Sequence, residues 1–224
     1  PVILELHDIP AGRFGKTLFT RFIASDTKKL LVLITKALGR VIEAHFNIEI
    51  PEKHTLVAPD GVDNKRFENL PSAEQARQQL GLKENLTAVY TGGFYKGRGL
   101  ELLLDLAKAF PQVEFLWVGG KPEAVGAWKA IIQNLGIENI TLTGCIANEN
   151  LPLYQAAADV LLMPFGKVIA GSSGGNTADV CSPMKMFEYM AAGRAILTSD
   201  LPVLHEVLNE QNASFYTIED FEDL

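Results

Sequence analysis

The sequence predicts an α/β protein organised around a doubly wound parallel sheet. Short apolar runs rich in β-branched and aromatic residues alternate with stretches of helical periodicity along the whole chain. Most of these runs are continuously apolar rather than alternating, the pattern of parallel strands buried on both faces. Repeated strand–helix–strand order then implies right-handed crossovers.

Strands are expected at 2–7, 30–35, 54–58, 87–91, 113–118, 140–143, 160–165, 195–199 and 214–217. Helices are expected between them at 14–26, 37–46, 100–109, 127–135, 150–158, 183–192 and 203–209. The longest interval, 59–86, opens on the turn signal PDGVD and holds one short helix that starts after Ser72 and ends at Gly81. A domain boundary near residue 64 leaves half of a doubly wound domain in 1–63 and close to a whole one in 64–224. Residues 2–7 read as a full strand with nothing before it, and IEDFEDL at 218–224 opens like a helix and stops within two turns. The sequence therefore reads as a piece of a longer protein.

Composition narrows the function classes. The 224 residues carry 20 Lys+Arg against 27 Asp+Glu, a net charge of −7, and 47% are hydrophobic. A folded core is expected, and binding to nucleic acid by phosphate neutralisation is not. A small phosphorylated ligand remains open, because it needs only a local patch. No run reaches the ~18–20 apolar residues of a membrane span, and residues 1–10 have no basic region of a signal peptide. Two cysteines, Cys145 and Cys181, are too few for a disulfide scaffold and point to a reducing, cytoplasmic setting. The four histidines show no metal-ligand spacing, so no metal is expected.

In a doubly wound sheet, ligands bind outside the carboxyl ends of the strands. That draws attention to loops 92–99, 119–126, 144–149, 166–182 and 200–202. The first is Gly92-Gly93-Phe94-Tyr95-Lys96-Gly97-Arg98-Gly99. Its glycines let backbone amides approach a phosphate, and Lys96 and Arg98 place positive charge at a helix start, where it fits best if an anion is bound. Gly92 and Gly97 have P-loop spacing, but Arg98 and Gly99 stand where Lys and Ser/Thr are needed. The plain alternative is a βα turn with solvated charges. Loop 166–182 contains Gly171-Ser172-Ser173-Gly174-Gly175, which satisfies G-x-S-x-G, with Asp200 and His205 following. A hydrolase elbow needs that serine directly after a strand, and GKVIA intervenes. A mobile polar loop fits better.

The segment from Ser182 to Gly193 reads as a buried helix, with Ser182 as N-cap, Pro183 in the first turn and Gly193 as the stop. Glu188 is its only acid. Two readings stand side by side. Lys185, one turn back, pairs with Glu188 as a structural ion pair. Alternatively, Glu188 accepts from ligand hydroxyls while the free amides around Met184 and Lys185 hold a phosphate.

The run SPMKMFEYMAAGRAILTSDLPVLHEVL resembles the signature of retaining glycosyltransferases of family 4, which have the GT-B fold. PDGVD, YTGGFYKGRGLELLL, FLWVGG and ITLTGCIANENLPLYQAAADVLLMPF support the resemblance and occur in the family's order. It implies a Rossmann-like C-terminal domain holding a nucleotide-sugar donor, UDP- or GDP-linked, preceded by part of an acceptor-side Rossmann-like domain. It also implies that Arg98, with Lys96 as second candidate, contacts the diphosphate. Gly93 falls where many members carry another Arg. Glu188 matches the second Glu of the family's E-x7-E motif, on the ribose; the first falls on Val180, with Asp179 one position off. Loop 144–147, with Cys145 and Ile146, matches the backbone clamp on the base, and Gly92 and Gly119 line the donor cleft. His7 resembles the histidine facing the reaction centre. The implied acceptor is a glycan or a lipid-linked molecule, the implied setting the cytoplasm or the inner membrane face, and this piece alone is expected to be inactive. The competing readings are a P-loop-like nucleotide hydrolase, which would need Mg²⁺, and a catalytically inactive sugar-nucleotide-binding protein.

Overall fold

The computed structural model describes residues 1–169 and 176–218. The chain folds into two compact units. The first takes Pro1–Asp60 with the described parts of Ala170–Pro183 and Leu201–Val207; the second takes Gly61–Ile169, Met184–Asp200 and the described part of Leu208–Leu224. The first unit therefore gathers two segments from beyond the boundary that the sequence suggests at residue 64.

In the first unit β1 (Val2–Leu6), β2 (Lys29–Leu33) and β3 (Thr55–Val57) form a parallel sheet in that order. Helix α1 (Gly15–Ala24) and helix α2 (Lys36–Phe46) are the crossovers. Leu31, Leu33, Leu38, Ile42 and Phe46 pack with Phe19 into its core, joined by Val180. The start of α2 is doubly capped. Thr35 Oγ1 accepts the Leu38 amide, and the Glu206 carboxylate accepts the amides of Lys36 and Ala37 at 2.8 and 2.7 Å. An anion at a helix N-terminus satisfies donors that have no partner inside the helix. The helix expected over 203–209 is only a 3₁₀ turn, Leu204–Glu206, too short to propagate and held by that capping contact.

The second unit is a six-stranded parallel sheet. Its strands are β4 (Thr87–Thr91), β5 (Glu114–Val118), β6 (Ile140–Gly144), β7 (Val160–Met163), β8 (Ala195–Ser199) and β9 (Ser214–Tyr216). Their order is β6-β5-β4-β7-β8-β9, so the winding reverses between β4 and β7. The crossovers are α4 (Leu100–Ala109), α5 (Pro122–Asn134), α6 (Leu151–Ala156) and α7 (Met184–Ala192). β4 is buried along its whole length, as the continuous apolar run predicts. Helix α5 starts five residues earlier than expected, because Pro122 is suited to a first helical turn. Helix α3 (Ala73–Leu80) carries the capping box read from Ser72 and Gln75 and stops at Gly81 in the left-handed region. Arg77 ties α3 to the sheet by donating to Asp159 Oδ2 and to the Ala157 carbonyl, both at 3.0 Å.

Candidate functional site

The site lies at the carboxyl end of the second unit's sheet, at the point where the strand order reverses. There the loop after β4 (92–99) and the segment 164–169 after β7 lie against each other, at the usual ligand position in such sheets. The loops are locked together through backbone. Gly92 N–H donates to the Val118 carbonyl at 2.9 Å, Gly119 N–H to the Gly144 carbonyl at 2.9 Å and Gly166 N–H to the Gly97 carbonyl at 3.1 Å. The Cys145 thiol donates to the Gly120 carbonyl at 3.0 Å. Glycine is required here by close approach. A Cβ on Gly119, where φ is +126°, would stand 2.0 Å from the Gly92 carbonyl oxygen, and one on Gly97 1.9 Å from that of Val168. No side chain fits such gaps.

Positive charge gathers at these loops. Arg98 is half-buried, with its guanidinium 5.5 Å from the centre of the Phe165 ring. Lys185, on the first turn of α7, reaches the same ring at 5.4 Å and the Tyr90 ring at 4.1 Å. Its Nζ is shielded from solvent and has no hydrogen-bond partner among the described residues. Burial, then the Arg98 charge, pull the Lys185 pKa down to about 7, against a smaller opposing pull from Glu188. Lys96 is exposed on the same loop, and the Tyr90 hydroxyl holds the loop in place by donating to the Gly93 carbonyl at 2.9 Å.

Glu188 resolves the two readings of its helix in part. It does not form an ion pair with Lys185 within 4 Å; it is buried and accepts from Gln155 Nε2 at 3.1 Å. Gln155 also reaches Thr91 Oγ1 at 3.4 Å. The neighbouring Tyr189 fixes α7 to the sheet: its hydroxyl accepts the Thr91 amide at 2.9 Å and donates to the Leu162 carbonyl at 3.2 Å. Burial raises the Tyr189 phenol well above the ordinary tyrosine range, so it stays neutral.

The structure thus brings together Gly92, Gly93, Arg98, Gly119, Lys185 and Glu188 in one unit, with Met184 exposed at the start of α7, Cys145 exposed and Ile146 half-buried in the loop after β6. His7, Ser182, Pro183, Asp179 and Val180 belong to the first unit. His7 is exposed and bonds Glu5 at 2.9 Å. Ser182, expected to cap the helix, has its Oγ accepting the Asp60 amide at 3.0 Å. Val180, at the first position of the E-x7-E pattern, is a core residue whose carbonyl accepts from Thr35, and Asp179 is exposed. The G-x-S-x-G run at 171–175 lies outside the described residues. Sequence reasoning missed Gln155, Tyr189, Tyr90 and Phe165. The last two follow or end strands at the switch point, a positional signal that only the strand order makes visible. Among the described residues no three His, Cys, Asp or Glu side chains converge as a metal site.

Fold and site together define a parallel α/β protein with two basic side chains gathered at its topological switch point. Residues 85–224 match the family described as Glycosyl transferases group 1, and the chain belongs to that family. An alpha-galactosylglucosyldiacylglycerol synthase of Streptococcus pneumoniae is 24% identical over 222 residues, covering 92% of this chain and 56% of its own length. The Anabaena protein HepE, solved with UDP and glucose, matches with a TM-score of 0.70 and 21% identity over 97% of this chain and 58% of its own. A sucrose-phosphate synthase of Thermosynechococcus elongatus matches with a TM-score of 0.70 and 19% identity over 97% of this chain and 55% of its own. The fold is of the GT-B type. The chain spans a little over half the length of these relatives.

Proposed function

We propose that the full-length protein moves a sugar from a nucleotide-sugar donor to an acceptor, with retention at the sugar and without a metal ion, and that residues 64–224 hold the donor while 1–63 are the end of an acceptor-side domain. The observation that carries this is the pair of cations, Arg98 and Lys185, with no carboxylate within 4 Å of either among the described residues. Charge that grows on a leaving diphosphate is stabilised by donors already fixed in place. Arg98, Lys96 and the amides that open α7 at Met184 and Lys185 supply such donors, so the protein itself provides the positive charge. Glu188, held by Gln155, accepts from the ribose hydroxyls. The loop 144–147 is assigned to the base, and His7 is the histidine that the resemblance assigns to the reaction.

Retention is inferred from the resemblance of the run 182–208, which contains Glu188, to the signature of retaining glycosyltransferases of family 4. The HepE structures with UDP and with UDP-glucose support a nucleotide-sugar donor. The diacylglycerol glycolipid in the name of the pneumococcal relative supports a lipid-linked acceptor. Among the described residues no helix is long and apolar enough to cross a membrane. A second reading, a donor-binding protein without turnover, draws on the burial of Val180 where the first Glu is expected.

A thermal-shift screen of the full-length protein against UDP-, GDP- and ADP-sugars tests the proposal. A donor at ~100 times its Kd should add ~2.7 kcal/mol of stability. Stabilisation that appears only with Mg²⁺ would favour a nucleotide hydrolase. Binding without release of nucleoside diphosphate in the presence of any acceptor would favour the inactive reading.

A further inference from the structure

Lys185 is an unusual group to find without a partner. Its Nζ is buried, makes no hydrogen bond to any described residue and lies against two aromatic rings. It also lies directly over the glycine loop: a Cβ built on Gly92 would be 2.8 Å from it. An ammonium has three donors, and leaving all three unmet out of water is costly unless the group loses its proton or gains an anion. The charged and titratable groups around it are few. Arg98, from the loop before α4, repels it, and Glu188, on its own helix, attracts it from beyond ion-pair distance. Tyr90, from β4, is kept neutral by burial, with Tyr189 and Tyr95 acting on that phenol in turn. Two basic side chains share the Phe165 ring, and the solvent-shielded one is satisfied either without its proton or with an anion beside it.

We propose that Lys185 is a proton-linked diphosphate sensor: ligand binding at the glycine loop draws a proton onto its Nζ, and the resulting ammonium becomes the second side-chain cation on the diphosphate beside Arg98. This rests on the reading of these loops as a donor site and adds to it a titrating side chain and a direction of proton flow. The free site lowers the lysine's proton affinity toward a pKa of about 7 by burial and by Arg98. A diphosphate carries the opposite charge and raises that affinity again. By linkage, a ligand that raises the pKa takes up protons as it binds, and it binds more weakly as pH rises above the free-state value.

The test is a ¹⁵Nζ NMR titration of the full-length protein from pH 5 to 11, with Lys185→Met as the assignment control. It is run without ligand and with UDP-glucose, GDP-mannose, ADP-glucose or inorganic pyrophosphate. The expected result is a free-state midpoint near neutrality that moves up by at least one pH unit with a bound diphosphate. Affinity of the wild type for that ligand then falls up to about tenfold per pH unit above 7. Lys185→Arg, always charged, keeps binding across pH 7 to 9 with that component of the decline removed. A free-state midpoint near 10 overturns the proposal. So does a diphosphate that binds without moving the midpoint, which leaves the donor site itself standing. If none of the four probes binds, the donor reading falls and this inference with it. Should Lys185→Met fail to fold, Lys185→Arg serves as the assignment control, and the free-state midpoint still decides.

Discussion

Replacing Arg98 with alanine separates ligand binding from folding at this site. In the folded protein Arg98 forms one cation–π contact, to Phe165 at 5.5 Å, and repels Lys185. Loss of the contact removes about 0.5–1 kcal/mol, and relief of the repulsion offsets part of it. Stability should therefore change by less than about 1 kcal/mol. Binding is different, because a charge-assisted hydrogen bond to phosphate contributes about 1.5–3 kcal/mol. At 1.4 kcal/mol per factor of ten, the Kd for the nucleoside diphosphate should rise roughly 10- to 150-fold. Isothermal titration with the diphosphate and urea unfolding, on the same full-length preparation, measure the two quantities. An unchanged Kd in a folded variant refutes the diphosphate role of Arg98. A loss of more than about 2 kcal/mol in stability would show that its place in the fold has been misjudged.

Glu188→Gln should weaken donor binding by about 1–2 kcal/mol and blunt discrimination against a 2′-deoxy donor; an unchanged discrimination ratio would remove Glu188 from the ribose. Gly119→Ala must fit a Cβ 2.0 Å from the Gly92 carbonyl oxygen at a φ of +126°, so urea unfolding should show a loss of about 2–4 kcal/mol, and a loss below about 1 would contradict the close approach of the two loops. Lys185 binds its proton more weakly when folded, near pH 7, than when unfolded, near pH 10.5, so the unfolded state holds more protons in that window. The ligand-free wild type should accordingly gain stability relative to Lys185→Met as pH rises from 7 to 10, and a difference independent of pH would argue against the depressed lysine.

The sheet was legible because parallel strands advertise themselves. The apolar runs at 87–91 and 113–118 are continuous and bounded by turn and helical segments, and both become interior strands. Caps were legible where one residue carries the signal, as at Ser72 and Gly81. The short helix expected over 203–209 was not, because its fate depends on Glu206 reaching the start of α2, a contact 169 residues away in sequence. The glycine loop and Arg98 could be read from residue type. The partner of Glu188 could not: i,i+3 spacing suggests Lys185, whereas the packing of α6 against α7 places Gln155 there. Phe165 and Tyr90 read as ordinary strand aromatics. Their position under two cations depends on the reversal of winding between β4 and β7, which local sequence does not encode.

The central claim is that a nucleotide diphosphate sits between the loop after β4 and the first turn of α7. Hydrogen exchange by mass spectrometry on the full-length protein, with and without saturating nucleoside diphosphate, addresses it most directly. The expected result is slowed exchange in peptides covering 92–100 and 184–189, and in 144–147, the loop assigned to the base, with 127–135 unchanged. Saturable binding that leaves 92–100 and 184–189 exchanging at their free rates would contradict it.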